Sequence, residues 1–182
     1  MNAIAKHAVV LIGLVGVALM ALVAPAAAPR EGQAAKPAPV KGPSTLEEAR
    51  AQARLLHDFV HATLQVVHTE YYREDERLPL PANAFETVFE EMAGRWGVKL
   101  KWLAVNAKAM NIDHEPRDEF EKQAVAALAA GKDEFESVGP DLYRHAGPIT
   151  LFSQCLKCHL PSRSSNKERL AALVINVKLK TP

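Results

Sequence analysis

The stretch Asp118–Pro161, "DEFEKQAVAALAAGKDEFESVGPDLYRHAGPITLFSQCLKCHLP", decides how the rest of the chain is read. From Arg117 to Ala130 it is acidic at the start and apolar at helical spacing, with Pro116 before it and Gly131 after it. That pattern predicts a helix. The Val138–Asp141 turn, Val-Gly-Pro-Asp, lies between two short runs and predicts a hairpin. The second hairpin strand then feeds into Cys155-Leu156-Lys157-Cys158-His159, which holds both cysteines of the chain.

Upstream, Ser44-Thr45-Leu46-Glu47 matches a capping box, a hydroxyl followed three residues later by a glutamate, and opens a long helix to about Arg73. At about 100° per residue, Leu46, Ala49, Ala53, Leu56, Val60, Leu64, Val67 and Tyr71 form one apolar stripe on it. A second helix is expected over Ala84–Arg95, stopped by Gly97. Val98–Val105 alternates apolar and basic residues as a half-buried strand does. "LAALVINVKLK", Leu170–Lys180, reads as a closing strand. Helices and strands in this order predict an α+β domain in which helices cover a small antiparallel sheet.

The N-terminus stands apart. Lys6 precedes an apolar run from Ala8 to Ala24 and then small residues, so residues 1–28 are expected to be a signal peptide or a membrane anchor, with cleavage favoured. Residues 29–43, rich in Ala and Pro, read as a flexible linker and possible membrane tether, and 44–182 as the folded domain. Either fate of the leader makes the domain periplasmic or otherwise extracytoplasmic. With 48% hydrophobic and 24% charged residues and a net charge of +1, the chain has the composition of a globular protein and no basic footprint for nucleic acid.

Cys-x-x-Cys-His is the attachment signature of haem c. On a helical turn, positions i, i+3 and i+4 share a face, so two thiols can bond the haem vinyl groups while His159 reaches the iron. Attachment takes place outside the cytoplasm, in agreement with the leader. Rival readings have less behind them. A zinc site lacks a second knuckle, a thioredoxin-like pair lacks its βαβ context, and a disulfide across two residues stabilises little. For the other side of the iron, histidine is better supplied than methionine. His57, His61 and His68 form one strip on the long helix, within about 40° of one another. His114 is read as a turn residue, and His145 as a strand residue that lines the pocket or faces solvent. Asp113, Glu115, Asp118 and Glu119 are better explained as a solvated helix start than as acid–base machinery, so no enzyme is expected. Arg144, Arg163, Lys167 and Arg169 are candidate partners for haem propionates, with surface charge the default for each.

From about Arg50 onward the chain resembles the family of extracytoplasmic single-haem c-type domains with a PAS-like fold, long catalogued as a domain of unknown function and represented by a cyanobacterial haem protein. The quoted Asp118–Pro161 stretch and the helix "HATLQVVHTEYY" carry the likeness. The resemblance implies one haem lying between that helix and the sheet, with His159 as an axial ligand. Relatives with a distal cysteine on the helix differ from this chain, which has Val67 and His68 there and "AVNAKAMNID" where many relatives have Arg-Asn-Pro. His68 is therefore the first distal candidate and His61 the alternative. The function expected is electron transfer or redox sensing with a redox partner or a membrane signalling partner. The runner-up is a haem-based sensor of diatomic gases.

Overall fold

The computed structural model describes residues 38–76, 78–153, 155–160 and 164–180. The expected leader, the linker up to residue 37, and Arg163 lie outside the described residues. Among those described, no helix is long and apolar enough to cross a membrane.

The chain starts its first helix one residue later than the capping pattern suggested. Thr45 is the N-cap of α1 (Leu46–Val66), and Glu48, three residues on, bonds back to the cap. The side chain of Thr45 accepts from the Glu48 N–H, satisfying a donor that the helix leaves open. Ahead of it, Val40 and Pro43 are already tied to the domain through Arg95 and Lys180. At its other end α1 does not continue to Arg73. Val67–Tyr71 widens into a π turn, closed by the Tyr72 N–H on the Val67 carbonyl at 3.0 Å. The wider spacing ends the 100° rotation, so Tyr71, expected on the apolar stripe, is 72% exposed.

Next come α2 (Pro81–Trp96), entered through Pro81 in its first turn and ended by Gly97 at φ 66°, and β1 (Val98–Ala104). A short 3-10 turn follows at Ile112–His114, then α3 (Glu119–Ala129) with Asp118 as N-cap. β2 (Phe135–Val138) and β3 (Leu142–Leu151) form the expected hairpin, α4 (Leu156–His159) is a single turn, and β4 (Arg169–Lys178) closes the sheet. The four strands are antiparallel in the order β1-β4-β3-β2. This is the α+β arrangement expected from the sequence, a small antiparallel sheet packed against a long N-terminal helix and further helices.

β4 is buried on both faces, which is why "LAALVINV" is nearly continuous in apolar residues. Leu173, Ile175 and Val177 meet α1 and α2 on one face, together with Trp102, Phe89 and Tyr143. Ala172 and Val174 meet Phe120, Ala124 and Leu128 of α3 on the other. α3 is pinned by Arg144, which reaches Asp118 at 2.8 Å and lies over the Phe120 ring at 4.2 Å. The buried Glu121 is compensated by Lys101 Nζ at 2.6 Å and the Arg117 N–H at 2.8 Å.

α1 is held on β3 by a close fit. The His57 ring lies against Gly147 and its Nε2 donates to the Pro148 carbonyl at 3.1 Å. Arg50 and Arg54 anchor the same helix to Glu136 and Glu134 of the hairpin, and the Tyr143 hydroxyl donates to Glu136 at 2.8 Å. Burial and that hydrogen bond push the Tyr143 hydroxyl well above the usual phenol range. A Cβ on Gly147 would overlap the His57 ring, so the ring would have to leave its seat. Gly147→Ala is expected to cost about 1–3 kcal/mol of stability in urea denaturation, most of it recovered in a Gly147→Ala, His57→Ala double variant.

His145, beside His57 on β3, is 2% exposed, and its Nδ1 has no hydrogen-bond partner. Burial holds its pKa below the usual imidazole value, with nearby Glu134 pulling the other way. An unfolded imidazole takes up a proton near ~6.5. The stability held above that value is therefore lost as the pH falls towards the depressed folded pKa, because the unfolded chain binds a proton that the folded one refuses. The urea midpoint is expected to fall between about pH 7 and pH 5, and to fall less in His145→Phe.

Candidate functional site

β3 ends at Leu151, and the chain turns at once into α4. The N–H groups of Cys155 and Leu156 both bond to the Phe152 carbonyl, at 2.9 and 3.2 Å. Leu156, between the two cysteines, is fully buried and fixes the turn to the core, while Lys157 faces solvent. The turn is completed by the His159 N–H on the Cys155 carbonyl at 3.0 Å. Cys155, Cys158 and His159 thus fall on one helical turn, as the spacing required. The side chain of Cys158 lies outside the described atoms.

Cys155 and His159 line a cavity of about 330 Å³. Its walls are mostly apolar: Leu64 from α1, Leu80 and Ala82 at the start of α2, Trp102 and Leu103 from β1, and Ile149 and Leu151 from β3. Trp102 is held by its indole N–H, which donates to the Ala82 carbonyl at 3.1 Å. That bond ties the entrance of α2 to the sheet.

His68 lines the same cavity. It sits in the π turn at the end of α1, with Nδ1 donating to the Leu64 carbonyl at 3.3 Å and its ring edge-on to Tyr72. With the proton on Nδ1, the lone pair is left on Nε2. His61 is placed elsewhere. Its ring is 5.7 Å from that of His57 and its Nε2 is 3.5 Å from Gln65 Nε2, outside the cavity lining. The structure therefore brings His68 together with His159, and not His61. His145 is also outside, packed edge-on to His57 at 6.0 Å.

Two lining residues were not singled out by sequence reasoning. His114 was read only as a turn residue. It does end a 3-10 turn, capped by the Asn111 side chain, and this turn presents it to the cavity with Nε2 3.1 Å from Glu86 Oε1. Met110, in the same loop, also lines the cavity. No local pattern marks either residue, because the loop reaches the site only through tertiary packing. Among the propionate candidates, Arg144 is committed to α3, and Arg169 bonds to the carbonyls of Lys167 and Glu168. Lys108 contributes a cationic ammonium to the lining.

Burial lowers the pKa of His159, and the nearby His68 and His114 imidazoles lower it further. His68 is lowered by burial too, against the opposing effect of the Leu64 carbonyl. Neutral imidazoles keep the lone pair that a metal needs. An apolar cavity with a thiol and neutral imidazoles in its wall fits a flat, largely apolar group that carries a metal.

The fold and site define the class as an α+β domain with a Cys-x-x-Cys-His turn set into an apolar cavity. The family model for Tll0287-like domains matches residues 43–175, and the chain belongs to that family. Among solved structures, the cyanobacterial heme-protein Tll0287 matches with a TM-score of 0.52 and 17% sequence identity. The match covers 76% of this chain and all of that one, and shows a shared fold. No curated protein matches the chain.

The burial of Leu156 between the two cysteines has a direct consequence. Leu156→Ala is expected to cost about 2–5 kcal/mol, measured by urea denaturation. The exposed neighbour changed in Lys157→Ala is expected to stay within about 0.5 kcal/mol of the parent protein.

Proposed function

We propose that this protein is an exported c-type haem protein that carries one covalently attached haem and acts in electron transfer or redox sensing rather than as an enzyme. The observation that supports it most is the convergence of Cys155, His159 and His68 on one apolar cavity. Cys155 and Cys158 are the thioether donors, His159 is the proximal ligand and His68 the distal one. Family membership and the likeness to a haem protein of the same fold support the choice of cofactor. When bound, haem supplies a one-electron couple whose potential its axial ligands tune.

In this reading the residues of the chain have distinct roles. Leu156 holds the attachment turn against the core. The Leu64 carbonyl keeps the His68 proton on Nδ1, so that Nε2 faces its partner unprotonated. Trp102, Leu103 and Ile149 exclude water, which strengthens the interactions inside the cavity. Lys108 and His114 are the groups suited to acidic substituents of the cofactor. The domain works outside the cytoplasm with a redox or membrane signalling partner.

A second reading is favoured by one feature. His68 lies in a π turn rather than in regular helix, and such distortions are frequent at functional sites. The protein is then a haem-based sensor of diatomic gases that signals through a partner.

The test is to express the full chain with a haem-attachment system. Covalent haem that survives denaturing electrophoresis, with a c-type pyridine haemochrome, is the expected result. Cys155→Ala is expected to weaken attachment, and Cys155→Ala with Cys158→Ala to abolish it. A full chain without covalent haem would overturn the reading. His68→Ala is expected to convert a six-coordinate low-spin spectrum to high-spin. An unchanged spectrum removes His68 as ligand, and rapid carbon monoxide binding to the reduced parent protein favours the sensor.

A further inference from the structure

The helix that lines the cavity has a second face on which nothing packs among the described residues. Leu55, Phe59 and Val66 of α1 are 70%, 65% and 54% exposed, and Ala62 between them is exposed as well. The spacing of the four is four, three and four residues, so they fall within about 60° of one another on the outer side of the helix. This is the seam of a short helix–helix contact, in which an aromatic and two aliphatic anchors flank a small residue that lets a second helix approach. Such residues scattered singly need no explanation, but one contiguous stripe away from the core does.

The charge beside the seam selects its occupant. Glu47, Glu48 and Asp58 are exposed on this side of α1, Asp58 with 82% of its side chain in solvent. Glu48 is bonded to the Ser44 and Thr45 N–H groups, and Asp58 lies 3.2 Å from His57 Nδ1. Arg54 lies on the same flank, within about 40° of Glu47 and Asp58, but its guanidinium is held by Glu134, and Arg50 behind it by Glu136, so hairpin carboxylates offset both cations of the helix. The outer face is therefore apolar along its centre and acidic at its side. A second copy would bring acid against acid, and an anionic lipid surface would be repelled.

We propose that the outer face of α1 docks a helix of a partner protein, one with its own apolar seam flanked by lysine or arginine. The proposal does not depend on which cofactor the cavity holds. A basic-flanked helix buries Leu55, Phe59 and Val66 and neutralises Glu47, Glu48 and Asp58, so shape and charge specify the same partner. Docking there engages the opposite side of the element that ends in His68.

Two synthetic helical peptides test it. Both carry the same apolar seam, one with lysine and one with glutamate at the flanking positions, and their binding to the full chain is read by fluorescence anisotropy. The lysine peptide is expected to bind at least about tenfold more tightly, or about 1.4 kcal/mol, and less tightly as salt is raised. The exposed-site variant Leu55→Ser, Phe59→Ser is expected to lose binding without a change in urea midpoint. Glu47→Lys with Asp58→Lys is expected to reverse the preference towards the glutamate peptide. Equal affinity for the two peptides, or no binding of either, overturns the proposal. So does a dimer in sedimentation that Phe59→Ser dissolves, which assigns the face to a second copy. Flotation of the parent protein but not Phe59→Ser with phosphatidylglycerol vesicles assigns it to lipid and is equally fatal.

Discussion

The seat of His57 on Gly147 sets the position of α1 along β3, and the geometry of the cavity follows from it. His68 lies eleven residues further along the same helix, roughly 16 Å down its axis. β3 runs four more residues from Gly147 to Leu151, roughly 13 Å, before the turn that carries Cys155 and His159. The two sides of the cavity are thus two extensions from one contact point. A glycine is required there because a Cβ would overlap the seated His57 ring. A histidine is useful there because its Nε2 proton finds the Pro148 carbonyl, so the polar ring is buried with a partner. The ion pairs of Arg50 and Arg54 lie on the other side of this contact, at the N-terminal half of α1, and resist its rotation without being buried enough to dominate the energetics.

The π turn is the second constraint. Had α1 continued as a regular helix through Arg73, Tyr71 would have followed Leu64 onto the core and the chain would have passed over the cavity mouth. The wider turn instead puts Tyr71 into solvent and keeps His68 bonded to Leu64, four residues back. The same imidazole is held by its own helix and left with one nitrogen for another use.

How much of this was legible depended on whether a feature is local. The attachment turn was, since its residues lie within five positions and need only a helical turn to converge. β4 was, because burial on both faces leaves a long apolar run. The capping box was visible but displaced by one residue, since Ser44 and Thr45 are chemically equivalent candidates and only the backbone of Thr45 adopts the cap conformation, with φ −127° and ψ 159°. The π turn had no signature, because "VVHTEYY" is compatible with either winding. The strip of His57, His61 and His68 was real as a helix face, yet the three histidines part company in tertiary structure. His57 seats on the sheet, His61 stays beside it, and His68 enters the cavity. His114 is in the turn expected of it, but its place in the cavity wall was not legible, since its neighbour Glu86 lies 28 residues away.

α1 is the element in which these demands meet, and that constrains how it can vary. Its buried positions are small where the sheet is close, Ala49 and Ala53, and larger towards the cavity, Val60 and Leu64. The cavity lies at that end, with Leu64 on one wall and β1 and β3 side chains on others. Its outer face is under no packing demand from the described residues, and a sequence selected only for solubility would place charge there, as it does at Asp58. Leu55, Phe59 and Val66 depart from that rule on the side opposite the sheet. The helix that carries them also carries His57 at its middle, and the π turn that continues it carries His68.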